Sequence, residues 1–201
     1  MRLLALTGGL ASGKSRAGQY FMCFGIPVID ADQIVHTLLA SPSKCREEIV
    51  DTFGSKVLSE DGRIDRRLLS SVVFEDEDAR RRLEEIVHPA VMEEARRRAN
   101  VLSQMGFRFA MLEAALVFET GIQDLFHATV LVTARRETRI ERARQRMGFS
   151  DREVRARIAA QWPDERKAEL ATFVIENDSS LEELRREVAG IVARLTVGEQ
   201  S

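Results

Sequence analysis

The 201-residue sequence has few of the residues that form covalent or metal-based cross-links. It contains two cysteines and three histidines. Cys23 and Cys45 have neither paired spacing nor neighbouring histidines, which argues against a disulfide or a zinc site. The HExxH spacing of zinc proteases is also absent. Reduced thiols, as in cytoplasmic proteins, are therefore expected.

Long apolar runs and a strong excess of one charge are also missing. No stretch approaches the ~18 residues needed to span a membrane, and the first apolar stretch is too short for a signal peptide. The net charge of −2 lacks the basic excess of a general nucleic-acid binder. We therefore predict a cytoplasmic protein with no membrane or nucleic-acid partner, acting as a monomer or small homo-oligomer.

Lysine is scarce, since only four of the 30 basic residues are lysines. Arginine suits fork-like contacts to phosphates and carboxylates, and it concentrates in one segment. Residues 135–167 hold eleven Lys and Arg against six Asp and Glu, a local net charge of +5. Four of these arginines fall at spacings that place them on one helical face: Arg135, Arg139, Arg142 and Arg146.

This arginine face is interpreted as a lid that closes over a triphosphate and neutralises transition-state charge. For any single arginine, the alternative is a solvated helix balanced by Glu137 and Glu141.

Short apolar runs bounded by turn residues alternate with segments of helical periodicity, a pattern that predicts an α/β fold with a parallel sheet. The predicted strands are Leu3–Leu6, Pro27–Ile29, Arg108–Leu112, Thr129–Thr133 and Phe173–Ile175. Between the second and third strands the chain is too long for one crossover helix, which indicates a helical insertion. His88 and Pro89 are predicted to lie at a helix start within it.

These elements divide the sequence into a core, two insertions and a tail. The nucleotide-binding core is predicted over 1–31, 107–134 and 172–196. A helical substrate subdomain is expected over 32–106, an arginine-rich lid over 135–171 and a tail over 197–201.

The segment LTGGLASGKS, residues 6–15, follows the first predicted strand and precedes a helical segment. Gly8, Gly13, Lys14 and Ser15 fit the phosphate-loop pattern GxxxxGK(S/T) in the context that the pattern requires. Its glycines allow backbone amides to surround phosphate oxygens at a helix N-terminus. Lys14 is expected to reach the β- and γ-phosphates of a nucleotide, and the Ser15 hydroxyl to coordinate Mg²⁺.

Acidic residues follow two further strands. Asp30 and Asp32 come at the carboxyl end of the second strand, where open α/β sheets place their ligands. Either could accept a proton from an attacking hydroxyl or help to order Mg²⁺; the alternative is a helix N-cap. Glu113 ends the third strand in the manner of a Walker B element. No NKxD base-reading motif is present, so adenine nucleotide is favoured over guanine.

The order of these motifs resembles the dephospho-CoA kinase family over about residues 2–190. LTGGLASGKS is similar to that family's phosphate loop, and VIDAD (28–32) to its second-strand acid motif. GRIDRRLLSSVVF (62–74) and LEEIVHP (83–89) resemble its substrate-domain signatures. LEAALVFETG (112–121), the segment 144–167 and FVIEND (173–178) resemble its third strand, its lid and its last strand.

Several positions depart from the family pattern. Ala11 stands where glycine is usual, Arg16 where threonine is common, Ala115 where proline is expected and Thr133 where aspartate is frequent; Met147 follows Arg146 where an acid is usual. None of these removes a phosphate-loop or proposed catalytic group.

The resemblance implies a P-loop kinase fold, with a five-stranded parallel sheet flanked by helices. It implies ATP-dependent phosphorylation of the ribose 3′-hydroxyl of dephospho-CoA, the final step of coenzyme A biosynthesis, with ATP as substrate and Mg²⁺ as cofactor. It assigns catalysis to Lys14, Asp32 and Arg142, and dephospho-CoA binding to Asp32, Arg66, Arg67 and His88. The implied nucleotide-binding residues are Gly9, Ala11, Ser12, Gly13, Lys14, Ser15, Arg16, Arg146 and Asn177, with Ser15 also on the metal.

Two other functions remain open on the residues alone. The phosphate loop is shared by P-loop kinases that act on a nucleoside, a nucleotide or a sugar. It is shared as well by ATPase or switch modules that bind a partner without phosphorylating it.

Overall fold

The computed structural model describes residues 1–147 and 150–197, without the side chains of Glu75, Arg146 and Met147. It contains a five-stranded parallel sheet in the order β2-β3-β1-β4-β5, so the predicted sheet is confirmed. Each predicted strand is present, with its ends displaced by about one residue. The strands are β1 Arg2–Thr7, β2 Val28–Asp30, β3 Phe109–Glu113, β4 Ala128–Thr133 and β5 Phe173–Glu176.

Nine α-helices connect and flank these strands in the described part of the chain. They are α1 Lys14–Cys23, α2 Ala31–Ala40, α3 Lys44–Phe53, α4 Arg66–Glu75, α5 Glu77–Gln104, α6 Arg136–Met147, α7 Asp151–Ala159, α8 Asp164–Leu170 and α9 Leu181–Val197. No helix among residues 1–147 and 150–197 combines the length and the apolar character of a membrane span.

The chain divides into two compact units. A nucleotide unit comprises residues 1–29 and 99–201, and a helical unit comprises residues 30–98. In the nucleotide unit, α1 and α9 pack against each other and share one apolar core with β1, β3 and β4. The buried positions of α9, which are Leu184, Val188, Ile191 and Leu195, recur at helical spacing and join this core.

The helical unit has an apolar core of its own. Ile49 and Val57 are fully buried there, and Phe53 is 6% exposed. α5 continues through Pro89, so the prediction that His88 and Pro89 begin a helix is wrong. Proline removes one backbone hydrogen bond inside a helix, but α5 packs partly buried apolar side chains against the core on both sides of it, such as Val87 and Ala90. This packing offsets the lost bond.

Candidate active site

The phosphate loop occupies the connection between β1 and α1, at the carboxyl end of a central strand. α1 begins at Lys14, and no described side chain caps its first turn. Uncapped amides and the helix dipole favour an anion at this position. Lys14 is partly buried, whereas Ser15 and Arg16 are exposed.

Glycine is required at residue 13 for two reasons. Its φ of 96° lies in the left-handed region, which a side chain disfavours. A Cβ atom there would also overlap Nδ2 of Asn177. That amide nitrogen donates a hydrogen bond of 2.7 Å to the Ser12 carbonyl, and Asn177 is 6% exposed. Asn177, one of the implied nucleotide-binding residues, thus supports the backbone of the phosphate loop from the end of β5.

The predicted arginine face divides into different roles. Arg142 lies beside the phosphate loop, with Nη1 3.5 Å from the Ser12 carbonyl oxygen. Arg139 is 6% exposed and donates from Nε to the Leu10 carbonyl at 2.9 Å. Arg135 stays exposed, and its backbone N–H donates to the Asp178 carboxylate. The side chain of Arg146 lies outside the described residues.

Ser15 and Glu113 form a polar pair where α1 begins and β3 ends. The Ser15 hydroxyl donates to Oε1 of Glu113 at 2.7 Å. A hydroxyl and one carboxylate fit Mg²⁺, which usually keeps several waters and is completed by substrate phosphates. No group of three or more His, Cys, Asp or Glu residues forms a metal cage in the described part of the chain. The residues present therefore suit a metal that arrives with the nucleotide.

The two acids after β2 differ in their local bonding. Oδ1 of Asp30 accepts hydrogen bonds from Asp32 N at 2.8 Å and Gln33 N at 3.2 Å, so Asp30 is the N-cap of α2. Asp32 lies in the first turn of that helix and is exposed. Its carboxylate has no hydrogen bond or ion pair with another described residue. The N-cap reading of the sequence pattern therefore applies to Asp30.

The other residues assigned to substrate binding belong to the helical unit. Arg66 and Arg67 are exposed in the first turn of α4, which Asp65 caps through the Arg67 N–H at 2.7 Å. Nη1 of Arg66 lies 3.3 Å from Nδ1 of His36. His88 is partly buried within α5.

Two contacts in the nucleotide unit had no specific signal in the sequence. Oε1 of Gln161 accepts a 3.0 Å hydrogen bond from the Leu10 N–H of the phosphate loop. Nζ of Lys167, fully buried, lies 2.7 Å from Oε1 of Glu119, which also accepts from Trp162 N at 3.1 Å. The Lys167 contact is an ion pair outside hydrogen-bond geometry, since Nζ makes no hydrogen bond among the described residues.

Sequence comparison places these features in a known family. The dephospho-CoA kinase family model matches residues 2–183. A dephospho-CoA kinase of Bacillus thuringiensis is 38% identical over 195 residues, which cover 97% of this chain and 98% of that protein.

Solved structures agree with the sequence match. A Thermus thermophilus protein superposes with a TM-score of 0.82 at 36% identity, covering 96% of this chain and 97% of the other. A dephospho-CoA kinase from Campylobacter jejuni superposes with a TM-score of 0.70 at 27% identity, covering 98% of each chain. This chain therefore belongs to the dephospho-CoA kinase family.

Proposed function

We propose that this chain transfers the γ-phosphoryl group of ATP to the ribose 3′-hydroxyl of dephospho-CoA, giving CoA and ADP. The family match over residues 2–183 carries this proposal, because it spans the phosphate loop, the helical unit and the lid segment together. It favours dephospho-CoA over the other acceptors of P-loop kinases. The reaction completes coenzyme A biosynthesis.

The phosphate loop is assigned to ATP. Lys14 and the first-turn amides of α1 would hold the β- and γ-phosphates, with Arg16 beside them. Ser12 Oγ is buried and has no hydrogen-bond partner among the described residues. Leaving a buried hydroxyl unpaired costs free energy, and a phosphate oxygen is an acceptor that would satisfy it.

Ser15 and Glu113 are the residues that would hold Mg²⁺. When bound, the ion neutralises charge on the transferred phosphoryl group. The hydrogen bond between the two side chains keeps both oxygens at the carboxyl edge of the sheet before nucleotide arrives.

Asp32 is assigned to the acceptor hydroxyl. Its carboxylate would take the proton of the 3′-hydroxyl as that oxygen bonds to the γ-phosphorus and the bond to the β,γ-bridging oxygen breaks. Asp32 is better suited than Asp30, because the Asp30 carboxylate is occupied by the N-cap of α2. Arg66, Arg67 and His88 would bind dephospho-CoA. Arg142, Arg146 and Asn177 would complete the nucleotide site.

The test is ADP formation by the purified chain with ATP and Mg²⁺, with and without dephospho-CoA. We expect ADP to form in proportion to CoA, with NMR placing the new phosphate on the ribose 3′ oxygen. Adenosine, nucleoside monophosphates and simple sugars serve as control acceptors. ATP hydrolysis without CoA formation would contradict the proposal.

A matched pair of variants tests the acid assignment. Asp32→Asn should lower kcat by about 10² while ATP affinity changes little, because general base catalysis contributes 10²–10⁴. Asp30→Asn should stay within a few-fold of wild type, because asparagine is also a good N-cap. The opposite ranking of the two kcat values would move the catalytic role to Asp30.

We also propose that the enzyme acts in the cytoplasm as a monomer or small homo-oligomer, without nucleic acid. Light scattering on the purified protein measures the assembly directly.

A further inference from the structure

The backbone of one residue in the phosphate loop is held on both sides by side chains from the lid segment. The Leu10 N–H donates to Oε1 of Gln161 at 3.0 Å, and the Leu10 carbonyl accepts from Nε of Arg139 at 2.9 Å. A loop residue usually bonds to water or to nearby backbone. Here both groups of a single peptide residue are bound by side chains 129 and 151 positions away.

Arg139 is built into this position. It is 6% exposed, and its Nη1 donates to Oδ2 of Asp164 at 2.9 Å. The guanidinium also lies against Gly9, where an added Cβ atom would overlap Nη2. A planar fork with several donors can hold the Leu10 carbonyl and the Asp164 carboxylate at once, which a lysine ammonium on a flexible stem does less well.

The next residue requires such support. Ala11 has a φ of 58° and is the one non-glycine residue with positive φ in residues 1–147 and 150–197. That conformation is unfavourable for alanine and persists only when its surroundings enforce it. Leu10 and Ala11 pack against the cluster of Ile140, Ala143 and Val154 on α6 and α7. Polar and apolar contacts from the lid segment thus fix the same turn.

We propose that Arg139 and Gln161 are positioning residues for nucleotide binding. By holding the Leu10 peptide, they set the 10–11 turn and so aim the following amides and Lys14 at the phosphates of ATP. This inference rests on the proposed kinase function for its catalytic readouts, but not for its measurements of ATP binding and amide exchange.

The main test removes Arg139 without leaving a buried unpaired charge. Arg139→Met alone leaves the Asp164 carboxylate without its ion partner, so both stability and ATP affinity should fall. In Arg139→Met/Asp164→Leu the unpaired charge is gone, and the melting temperature should recover towards wild type. We expect the double variant to bind ATP at least about tenfold more weakly than wild type. Its KM for ATP should rise by a larger factor than the factor by which its kcat falls.

The lid provides a matched control in an exposed pair whose arginine lies on α6, the helix of Arg139. Nε of Arg144 lies 3.1 Å from Oδ1 of Asp151, and both side chains are more than half exposed. Arg144→Met and Arg144→Met/Asp151→Leu should change ATP affinity less than twofold. Asp164→Asn keeps the Arg139 bond to Leu10 and should weaken ATP binding less than threefold.

Gln161→Met tests the hydrogen bond to the Leu10 N–H, and it leaves no buried charge without a partner. It removes the acceptor of the Leu10 N–H, so amide exchange at Leu10 should accelerate and ATP affinity should fall by about threefold or more. Gln145→Met, on an exposed glutamine that bonds Glu141 at 3.2 Å, is the control and should change neither.

Two results would overturn the inference. The first is an ATP affinity in Arg139→Met/Asp164→Leu that returns with stability, which would make Arg139 a structural residue only. The second is unchanged Leu10 exchange and ATP affinity in Gln161→Met. If the wild-type protein binds ATP but forms no CoA, the proposed kinase function is wrong. The ATP-affinity measurements on the Arg139 and Gln161 variants still test the inference in that case.

Discussion

The two units of this chain use charged side chains in different ways. In the nucleotide unit, Arg139 and Lys167 are buried, and each pairs with an acid far away in sequence. In the helical unit, the charged pairs are local, and each keeps at least one side chain in contact with water. Examples are Arg80–Glu77, Arg81–Asp78 and Arg97–Glu94, each three residues apart on a helix.

Backbone geometry explains this difference. The helices of residues 30–98 satisfy most of their own backbone groups, so their charged side chains can stay in water. The phosphate loop must leave backbone amides available for a ligand. Its other backbone groups, such as those of Leu10, are bound by side chains instead of by neighbouring backbone. All the buried polar and charged side chains among the described residues lie in the nucleotide unit: Thr7, Ser12, Thr129, Arg139, Lys167 and Asn177.

The largest expected contrast is between two lysines. Lys14→Ala should lower kcat/KM for ATP by at least about 10²–10³, because it removes a positive charge from the phosphates in the transition state. The fold should be unaffected, since Lys14 is not fully buried. Lys44→Ala, in the helical unit, removes a lysine that is 90% exposed and should leave kinetics unchanged. Comparable kcat/KM in the two variants would contradict the assignment of Lys14.

A second contrast concerns stability. Lys167→Met should lower the free energy of unfolding by about 3–5 kcal/mol, because it leaves Glu119 buried without its countercharge. Lys44 and Glu48 form an exposed pair 3.8 Å apart. Lys44→Met should therefore lower the free energy of unfolding by less than about 0.5 kcal/mol. Urea unfolding of both variants gives these values.

The double variant Lys167→Met/Glu119→Leu separates an unpaired charge from lost packing. We expect it to regain most of the stability, since apolar replacement of a buried ion pair is often neutral or better. A double variant as unstable as Lys167→Met would show that packing, and not the charge of Glu119, dominates this site.

The sequence predicts the parts of this site that are contiguous. The phosphate loop lies within ten residues, so its pattern predicts a turn between a strand and a helix, and the structure has that turn between β1 and α1. Strands are predictable for a similar reason, because apolar runs such as Leu4–Leu6 are buried on both faces of a parallel sheet. Their ends shift by one residue because a strand end depends on its neighbours.

The long-range contacts were not predictable in the same way. Helical spacing places Arg139 and Arg142 on one face, but spacing does not say which arginine is buried or what it bonds. Gln161 lies in the segment that resembles the family's lid, but that resemblance does not name its partner, and only the fold brings it to Leu10. The prediction of a helix start at Pro89 was wrong because the apolar contacts of α5 outweigh the local preference of proline for the first turn of a helix. Asp30 and Asp32 needed the hydrogen bonds of the α2 N-cap to tell them apart.

The smallest expected effects concern two glutamates, one in each unit, whose pKa values move in opposite directions. Hydrogen bonds from Arg97 and Arg98 lower the pKa of Glu94 in the helical unit to about 2. In the nucleotide unit, burial raises the pKa of Glu187, and the nearby charges of Glu183 and Glu176 raise it further. Ionisation is therefore favoured by folding at Glu94 and opposed by folding at Glu187.

Charge-removing variants should therefore have opposite signs at neutral pH. Glu94→Gln should destabilise by up to about 1 kcal/mol, since Arg97 is largely exposed and its attraction is screened. The loss of unfolding free energy has its full size above pH ~4.5, because Glu94 is then ionised in both the folded and the unfolded chain, and it shrinks as the pH falls towards 2. Glu187→Gln should stabilise slightly at pH 7, because it removes a carboxylate whose charged form folding disfavours, and the gain should vanish on acidification. Urea unfolding from pH 3.5 to 7 measures the change in unfolding free energy of both variants. Changes of the same sign at pH 7 would contradict the prediction.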